Sequence, residues 1–242
     1  MTVHAVIDEF RVAFPLIFNG NPYLMQILGF TLQVAAVATA IATVIGVPVG
    51  LLLGLGRFRG RGFLRILANS SLGVPPALVG AILFLLFAVP APLGSLHLLS
   101  TRRAVFIAQT ILALPYTVAL TAAAVEALPP GLLVQARSLG ARRSAVAMLA
   151  IREARIGMVA AIIAALGTSL SEVAAIAIVG GNIYGYDQTL ASATLYEVNG
   201  ANYPLALATS MVLLLLIVVL LGGFALLQHR GGGLRLRFRA AT

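Results

Sequence analysis

From Leu24 to Leu55 the chain carries no charged side chain. About 20 consecutive apolar residues suffice for a helix to cross a bilayer, so a run of this length reads as a membrane span. Four more such stretches follow, at about 65–89, 103–125, 156–181 and 204–228. Several exceed the minimum, which predicts tilt or extension beyond the bilayer. The fold class is therefore an all-α polytopic membrane protein with about five transmembrane helices. Composition agrees. Of 242 residues, 60% are hydrophobic, against about 45–50% apolar in soluble domains, and the mean hydropathy is +1.03. Pro48 predicts a kink in the first span, Pro75-Pro76 lie near the start of the second, and Pro115 falls inside the third.

Arginine placement sets the orientation. The loop after the first span carries Arg57, Arg59, Arg61 and Arg65. The loop after the third carries Arg137, Arg142, Arg143, Arg152 and Arg155, and the tail carries Arg230, Arg235, Arg237 and Arg239. The opposite side has Arg11, Arg102 and Arg103. The positive-inside rule then places the N-terminus outside and the C-terminus in the cytoplasm, consistent with an odd number of spans. Three segments result: an extracytoplasmic N-terminal segment 1–23, a membrane domain 24–228 and a basic cytoplasmic tail 229–242. The start is acidic (Asp8, Glu9) and lacks the basic region of a cleaved signal. Val3, Ile7, Phe10 and Phe14 recur at helical spacing, which predicts a short helix lying in the outer interface.

Several chemistries are excluded. Cysteine is absent, so there are no disulfides or thiolate metal sites. His4, His97 and His229 are far apart in sequence and form no ligand cluster. All 16 basic residues are arginine, and without lysine there is neither a Walker A loop nor a Schiff base. If ATP is used, another subunit binds it. The net charge of +9 reflects arginines flanking spans and meeting anionic lipid, not nucleic-acid binding.

The polar island 126–155 is the most structured part outside the spans. Pro129-Pro130-Gly131 breaks it from the third span, and proline in a first turn suits a helix start. Leu132, Ala136 and Leu139 share one helical face, while Gln135, Ser138 and Arg142 line another. Gly140 stands where a left-handed residue ends a helix, and a second basic helical stretch over about 142–153 leads into the fourth span. A helix, glycine turn and helix along the cytoplasmic face serve equally as a lever docked in a partner's groove or as an amphipathic element touching headgroups.

Glu172 is the one acid well inside a predicted span, in Gly167-Thr-Ser-Leu-Ser-Glu172. Such carboxylates face protein or a water cavity. It either fixes helix packing through hydrogen bonds or lines a pathway, with Thr168, Ser169 and Ser171 as nearby donors. The outer loop 181–203 holds Tyr184, Tyr186, Asp187, Tyr196, Glu197 and Tyr203 and no basic residue. It reads as a partner contact or outer gate, or as a segment with tyrosines at headgroup level.

Residues Gln135, Ala136, Arg137, Leu139, Gly140, Ala141, Arg142 and Arg143 occupy the place of the EAA loop, and the segment resembles that loop of type I ABC-importer permeases. Ala136, Leu139, Gly140 and Ala141 match the pattern. Val134 and Gln135 stand near the family glutamate, and Ile151-Arg152 replaces its Leu-Pro end. Glu172 followed by Gly181-Asn182, within Val179-Gly-Gly-Asn-Ile-x-Gly-Tyr-x-x-Thr-Leu190, resembles permeases for sulfate, molybdate and tungstate, most of all the tungstate type.

The resemblance implies a permease subunit with no catalysis and no bound cofactor, ATP and Mg residing on a partner. It also implies a second copy of the chain, a cytoplasmic ATPase dimer docked on the loop, an extracytoplasmic substrate-binding protein, and residence in a prokaryotic inner membrane among lipid. Thr168, Ser169, Ser171, Glu172, Gly181 and Asn182 are the pathway or gate candidates. Other expectations that remain open are molybdate or sulfate as cargo, and a stand-alone channel or secondary transporter with Glu172 as coupling site.

Overall fold

The computed structural model describes residues 3–239. Its regular elements are α1 (Val3–Phe18), α2 (Pro22–Leu55), α3 (Arg61–Ser70), α4 (Pro76–Phe87), α5 (Arg102–Glu126), α6 (Pro130–Ser138), α7 (Arg143–Ser171), α8 (Ala174–Gly180), α9 (Leu190–Asn199) and α10 (Tyr203–Arg239). Two short 3-10 turns, Ser71–Gly73 and Gly94–Leu96, complete them. Helices α2 and α5, and α10 over Tyr203–Phe224, are long and apolar enough to cross a membrane. The pairs α3 with α4 and α7 with α8 bring the number to five if each is one broken span.

Two expected spans are thus interrupted. The second breaks at Val74-Pro75. Pro75 lacks an N–H and holds Val74 in an extended conformation (φ −67°, ψ 126°), and Pro76 then occupies the first turn of α4. The fourth starts at Arg143, well before 156, and stops at Ser171. The α7–α8 break bends the path by 58°. No proline or glycine marks it. Instead the Glu172 carboxylate accepts a hydrogen bond from the Ala175 amide (3.0 Å) and satisfies a backbone donor freed by the break. The fifth span and the tail are not separate either: α10 continues as backbone helix to Arg239. The remainder of the expected tail, 240–242, lies outside the described residues, as do the side chains of its four arginines.

The described chain forms two compact units. The first holds 3–38, 75–112 and 167–220; the second holds 39–74, 113–166 and 221–239.

In the first unit, α1 packs through Ala13, Leu16 and Ile17 onto Leu24 and Ile27 of α2, Leu190 and Ala193 of α9, and Leu205 and Ala208 of α10. Ile7, Phe10 and Phe14 of the predicted apolar stripe remain exposed, and the side chain of Val3 lies outside those described. A second cluster joins Leu83 and Phe87 of α4, Ala104 and Ala108 of α5, and Ala175 and Val179 of α8.

The second unit is held by close backbone approach. Gly46, Gly50 and Gly54 fall at i, i+4 and i+8 along α2 and face α5. A Cβ on Gly46 would lie 1.9 Å from Thr117 Oγ1, one on Gly50 2.7 Å from the Val118 carbonyl oxygen, and one on Gly54 2.8 Å from Val125 Cβ. Small residues at this spacing let membrane helices approach closely, here leaving room for Thr117, Thr121 and Val125 of α5 to seat against α2. The Thr117 hydroxyl donates across this seam to the Ala42 carbonyl (2.8 Å). Farther along α5, Val125 packs with Ala150, Ala154 and Met158 of α7.

Candidate functional site

The loop of the second unit is built as its sequence predicts, two residues longer at its start. Pro129 is extended (φ −50°, ψ 129°) and Pro130 opens α6. At the far end Gly140 has φ 80°. Its amide donates to the Arg137 carbonyl and that of Ala141 to the Ala136 carbonyl, both at 3.0 Å. This crossed pair is a Schellman turn, which satisfies carbonyls that a helix end leaves open. Leu132, Leu133 and Ala136 turn inward and are half-buried. Leu139 departs from the predicted apolar face. It follows the last helical residue and is 89% exposed, next to exposed Gln135, Arg137, Arg142 and Arg143. Ala141 is half-buried. An outward leucine ringed by polar and cationic side chains is a surface suited to a protein groove.

The root of this loop carries a feature that sequence reading missed. Glu126, the last residue of α5, bonds Arg61 through one carboxylate oxygen (2.6 Å) and Arg65 through the other. Arg61 also donates to the carbonyls of Leu53 (2.6 Å) and Gly54 (3.0 Å), closing the end of α2. One guanidinium thus ties the end of α2 and the start of α3 to the residue from which the loop departs. The three groups are partly exposed, so the cluster contributes mainly geometry and only about 1 kcal/mol per charged pair. The arginines of the 57–65 loop were legible as topology markers; a pairing 65 positions away in the chain was not.

In the first unit, the stretch 180–192 is a folded knot. Asp187 is fully buried, and its Oδ1 accepts from the Ile183 amide (2.6 Å). Gln188 bridges Asn182 and Tyr23: its amide donates to the Asn182 carbonyl (3.3 Å), and its Oε1 accepts from the Tyr23 hydroxyl (2.7 Å). Asn182, at φ 52°, donates to the Ser192 carbonyl (3.2 Å). Thr189 and Ser192 form a reciprocal capping box at the start of α9. The Leu190 amide donates to Thr31 of α2 (2.9 Å). The glycines have reasons. A Cβ on Gly180 would meet Asp187 Oδ2 at 2.7 Å and Val105 at 2.8 Å, and Gly181 has φ 89°.

Charge and aromatic rings surround the knot. The Arg102 guanidinium lies 4.8 Å from the Phe30 ring centroid and 5.1 Å from that of Tyr186, whose carbonyl accepts its Nε–H (2.6 Å). Tyr184 stacks on Tyr23 at 4.4 Å, and Tyr196 leans on it at 5.9 Å. Burial raises the Asp187 carboxyl above the ordinary carboxylate range, against the opposing pull of backbone amides and Arg102. Burial also raises the Tyr184 phenol, with the charge of Glu197 adding to it. The 181–203 segment is therefore not an open loop: Leu190–Asn199 is helix, and Glu197 is buried in it.

The pathway candidates lie along the end of α7, at the α7–α8 break and beyond α8. Ser171 donates back to the Gly167 carbonyl (3.0 Å), and Ser169 is buried. Thr168 is half-buried. Glu172 is not in mid-helix but caps the break before α8. Asn182 lies beyond the other end of α8, about 10 Å away along a seven-residue helix. Glu172 stands at one end of this short helix, and Gly181 and Asn182 stand at the other. Tyr23, Thr31 and Arg102, which sequence reading did not connect with this stretch, complete it. Among the described residues no group of three or more His, Asp or Glu side chains could hold a metal ion.

Residues 46–230 match the family described as binding-protein-dependent transport system inner membrane component. The chain belongs to this family. It is 34% identical over 196 residues to a probable anion ABC transporter permease protein of Haloferax volcanii, covering 79% of this chain and 84% of that one. It is 31% identical over 208 residues to the tungstate uptake system permease protein TupB of Campylobacter jejuni (86% and 87% covered) and 29% identical to that of Peptoclostridium acidaminophilum (86% and 91%). Among solved structures, an inward-facing form of the MetNI methionine ABC transporter aligns with a TM-score of 0.69 at 18% identity, over 86% of this chain and 95% of that one. That likeness establishes the fold. The chain is thus a membrane-spanning ABC-importer permease, with the all-helical, up to five-span architecture its sequence predicts.

Proposed function

We propose that this permease passes tungstate inward across a prokaryotic inner membrane. The observation that carries the reading is the match to two tungstate permeases across 208 residues, a length that includes the whole 180–192 knot. The spans support passage without tight capture. Residues 12–56, 66–101, 104–136 and 156–229 contain no arginine, so along these stretches a tetrahedral oxyanion meets hydroxyls and backbone amides but no guanidinium. Firm selection then belongs to a binding protein outside.

The working assembly is two copies of this chain, two ATPase subunits on the cytoplasmic side and one delivering protein, with the N-terminus outside. ATP and Mg act on the ATPase subunits, where the bond chemistry occurs. Their closure moves α6, held rigid by its Schellman turn. The Glu126 cluster passes the motion to the ends of α2 and α3, and α7 carries it into the membrane. Hydrolysis resets the pathway.

Titrating the cognate binding protein with tungstate, molybdate and sulfate, alongside ATP-dependent uptake in proteoliposomes, tests this. Tungstate is expected to bind at least tenfold tighter than the others. A preference for sulfate sinks the cargo assignment, and uptake without any ATPase sinks the mechanism.

A further inference from the structure

A cavity of about 760 Å³ lies in the second unit, between the end of α2 and the start of α7. Its size falls within the range of small-molecule sites. The walls are apolar: Pro48, Leu51, Leu52 and Leu55 from α2, with Phe58 and Val146. Three arginines also line it, Arg57, Arg137 and Arg143. All three are exposed, and among the described residues the ion-paired arginines are Arg11, Arg61 and Arg65, not these.

An occupant has to answer both halves of this chemistry. A free phosphate or other oxyanion would neutralise the arginines but leave the leucine walls facing water. A hydrocarbon would cover the walls and leave three cations without a counter-charge. A phosphodiester anion carrying acyl chains does both. The approach is also apolar: Ile41, Val44, Ile45, Val49 and Leu52 stand exposed along α2, and no charged or polar side chain interrupts the helix from Val44 to Leu55. Arg57 follows two residues after the end of α2, the level at which headgroups meet the ends of spans. Basic pockets between membrane helices hold anionic headgroups by this combination.

We propose that the cavity binds an anionic phospholipid, with its phosphodiester held by Arg57, Arg137 and Arg143 and an acyl chain lying along Leu51, Leu52 and Leu55. Arg57 follows α2, whereas Arg137 and Arg143 flank the Gly140 turn. A bound lipid bridges the coupling loop to the end of α2 and sets the angle at which the loop is presented. The proposal rests on the membrane-spanning character of the chain and is independent of the cargo.

The full chain, reconstituted in phosphatidylcholine nanodiscs with and without phosphatidylglycerol and then released for native mass spectrometry, reads occupancy directly. Phosphatidylglycerol is expected to be retained in preference to phosphatidylcholine. Its retention should fall roughly fivefold for each arginine removed, in Arg57→Gln and then in the combined Arg57→Gln, Arg137→Gln, Arg143→Gln variant. Leu52→Trp, which fills the chamber and keeps the charges, should also expel it. Millimolar inorganic phosphate should leave it in place. Equal retention of the two lipids, or retention indifferent to both kinds of variant, overturns the proposal. Displacement by phosphate alone identifies a free-anion site and equally overturns it. Release of the partner ATPase by the arginine variants, with lipid retention intact, assigns the cavity to protein docking and refutes the lipid.

Discussion

Gly140 and Gly181 share a left-handed backbone, with φ of 80° and 89°, yet they sit in opposite surroundings. Around Gly140 there is open space: a Cβ would meet nothing within 4 Å. Its turn is held by two backbone hydrogen bonds, and the neighbouring side chains face outward. Beside Gly181, Gly180 abuts Asp187 and Val105, and Gln188, Leu190 and Asn182 bond to Tyr23 and Thr31 of α2 and Ser192 of α9. The first region keeps its shape through the main chain and leaves its surface free for a partner. The second keeps its shape through buried side chains, so its sequence is constrained from within.

The largest effect that would break this contrast is expected at Gly180. Gly180→Leu forces atoms against Asp187 and Val105 and should cost about 2–3 kcal/mol, read as a lowered unfolding midpoint in detergent and a reduced membrane yield. An unchanged midpoint would mean the knot is loose. Gly140→Ala should cost only about 1 kcal/mol, all of it backbone strain. Gly140→Asn should recover part of that, because asparagine tolerates this conformation; coupled ATPase activity of the assembled transporter reports both.

Asp187→Asn tests the knot by pH. The carboxyl is raised in the folded protein, so folding favours its protonated form. That stabilisation is complete below the ordinary aspartate range and is lost as pH rises through the elevated folded value. The wild-type midpoint should therefore fall with rising pH across this window, while Asp187→Asn flattens that dependence. A wild-type midpoint that rises with pH there would contradict buried ionisable character. The smallest effect on stability is expected at Leu139. Leu139→Ser should shift the midpoint by less than about 0.5 kcal/mol yet weaken co-purification of the ATPase, and retained association would move the docking surface elsewhere.

What the sequence made legible follows the same contrast. Pro130, Gly140 and the arginine-flanked spans act through the local backbone or through membrane partitioning, and each was read where it stands. The break at Ser171–Val173 was not. Apolar periodicity runs through it, and the deciding interaction is a side chain capping an amide three residues on. Helix α9 was hidden in an expected loop because its polar residues, Ser192 and Glu197, turn inward. The Glu126 cluster and the Tyr23–Gln188 bond join distant parts of the chain and leave no local trace. The glycines of α2 stand at four-residue spacing in the sequence, but the helix they face, α5, lies far along the chain, with 75 positions between the bonded Ala42 and Thr117, so the spacing alone names no partner.

That stripe limits how the second unit can move. Thr117, Thr121 and Val125 of α5, all branched at Cβ and stiff at χ1, seat against Gly46, Gly50 and Gly54, so the seam has few rotamers to re-sort and resists gradual repacking. It is therefore expected to travel as one body. A pull that reaches α5 at Glu126 would then carry α2 along with it, the two helices moving as a pair seated at Gly46, Gly50 and Gly54.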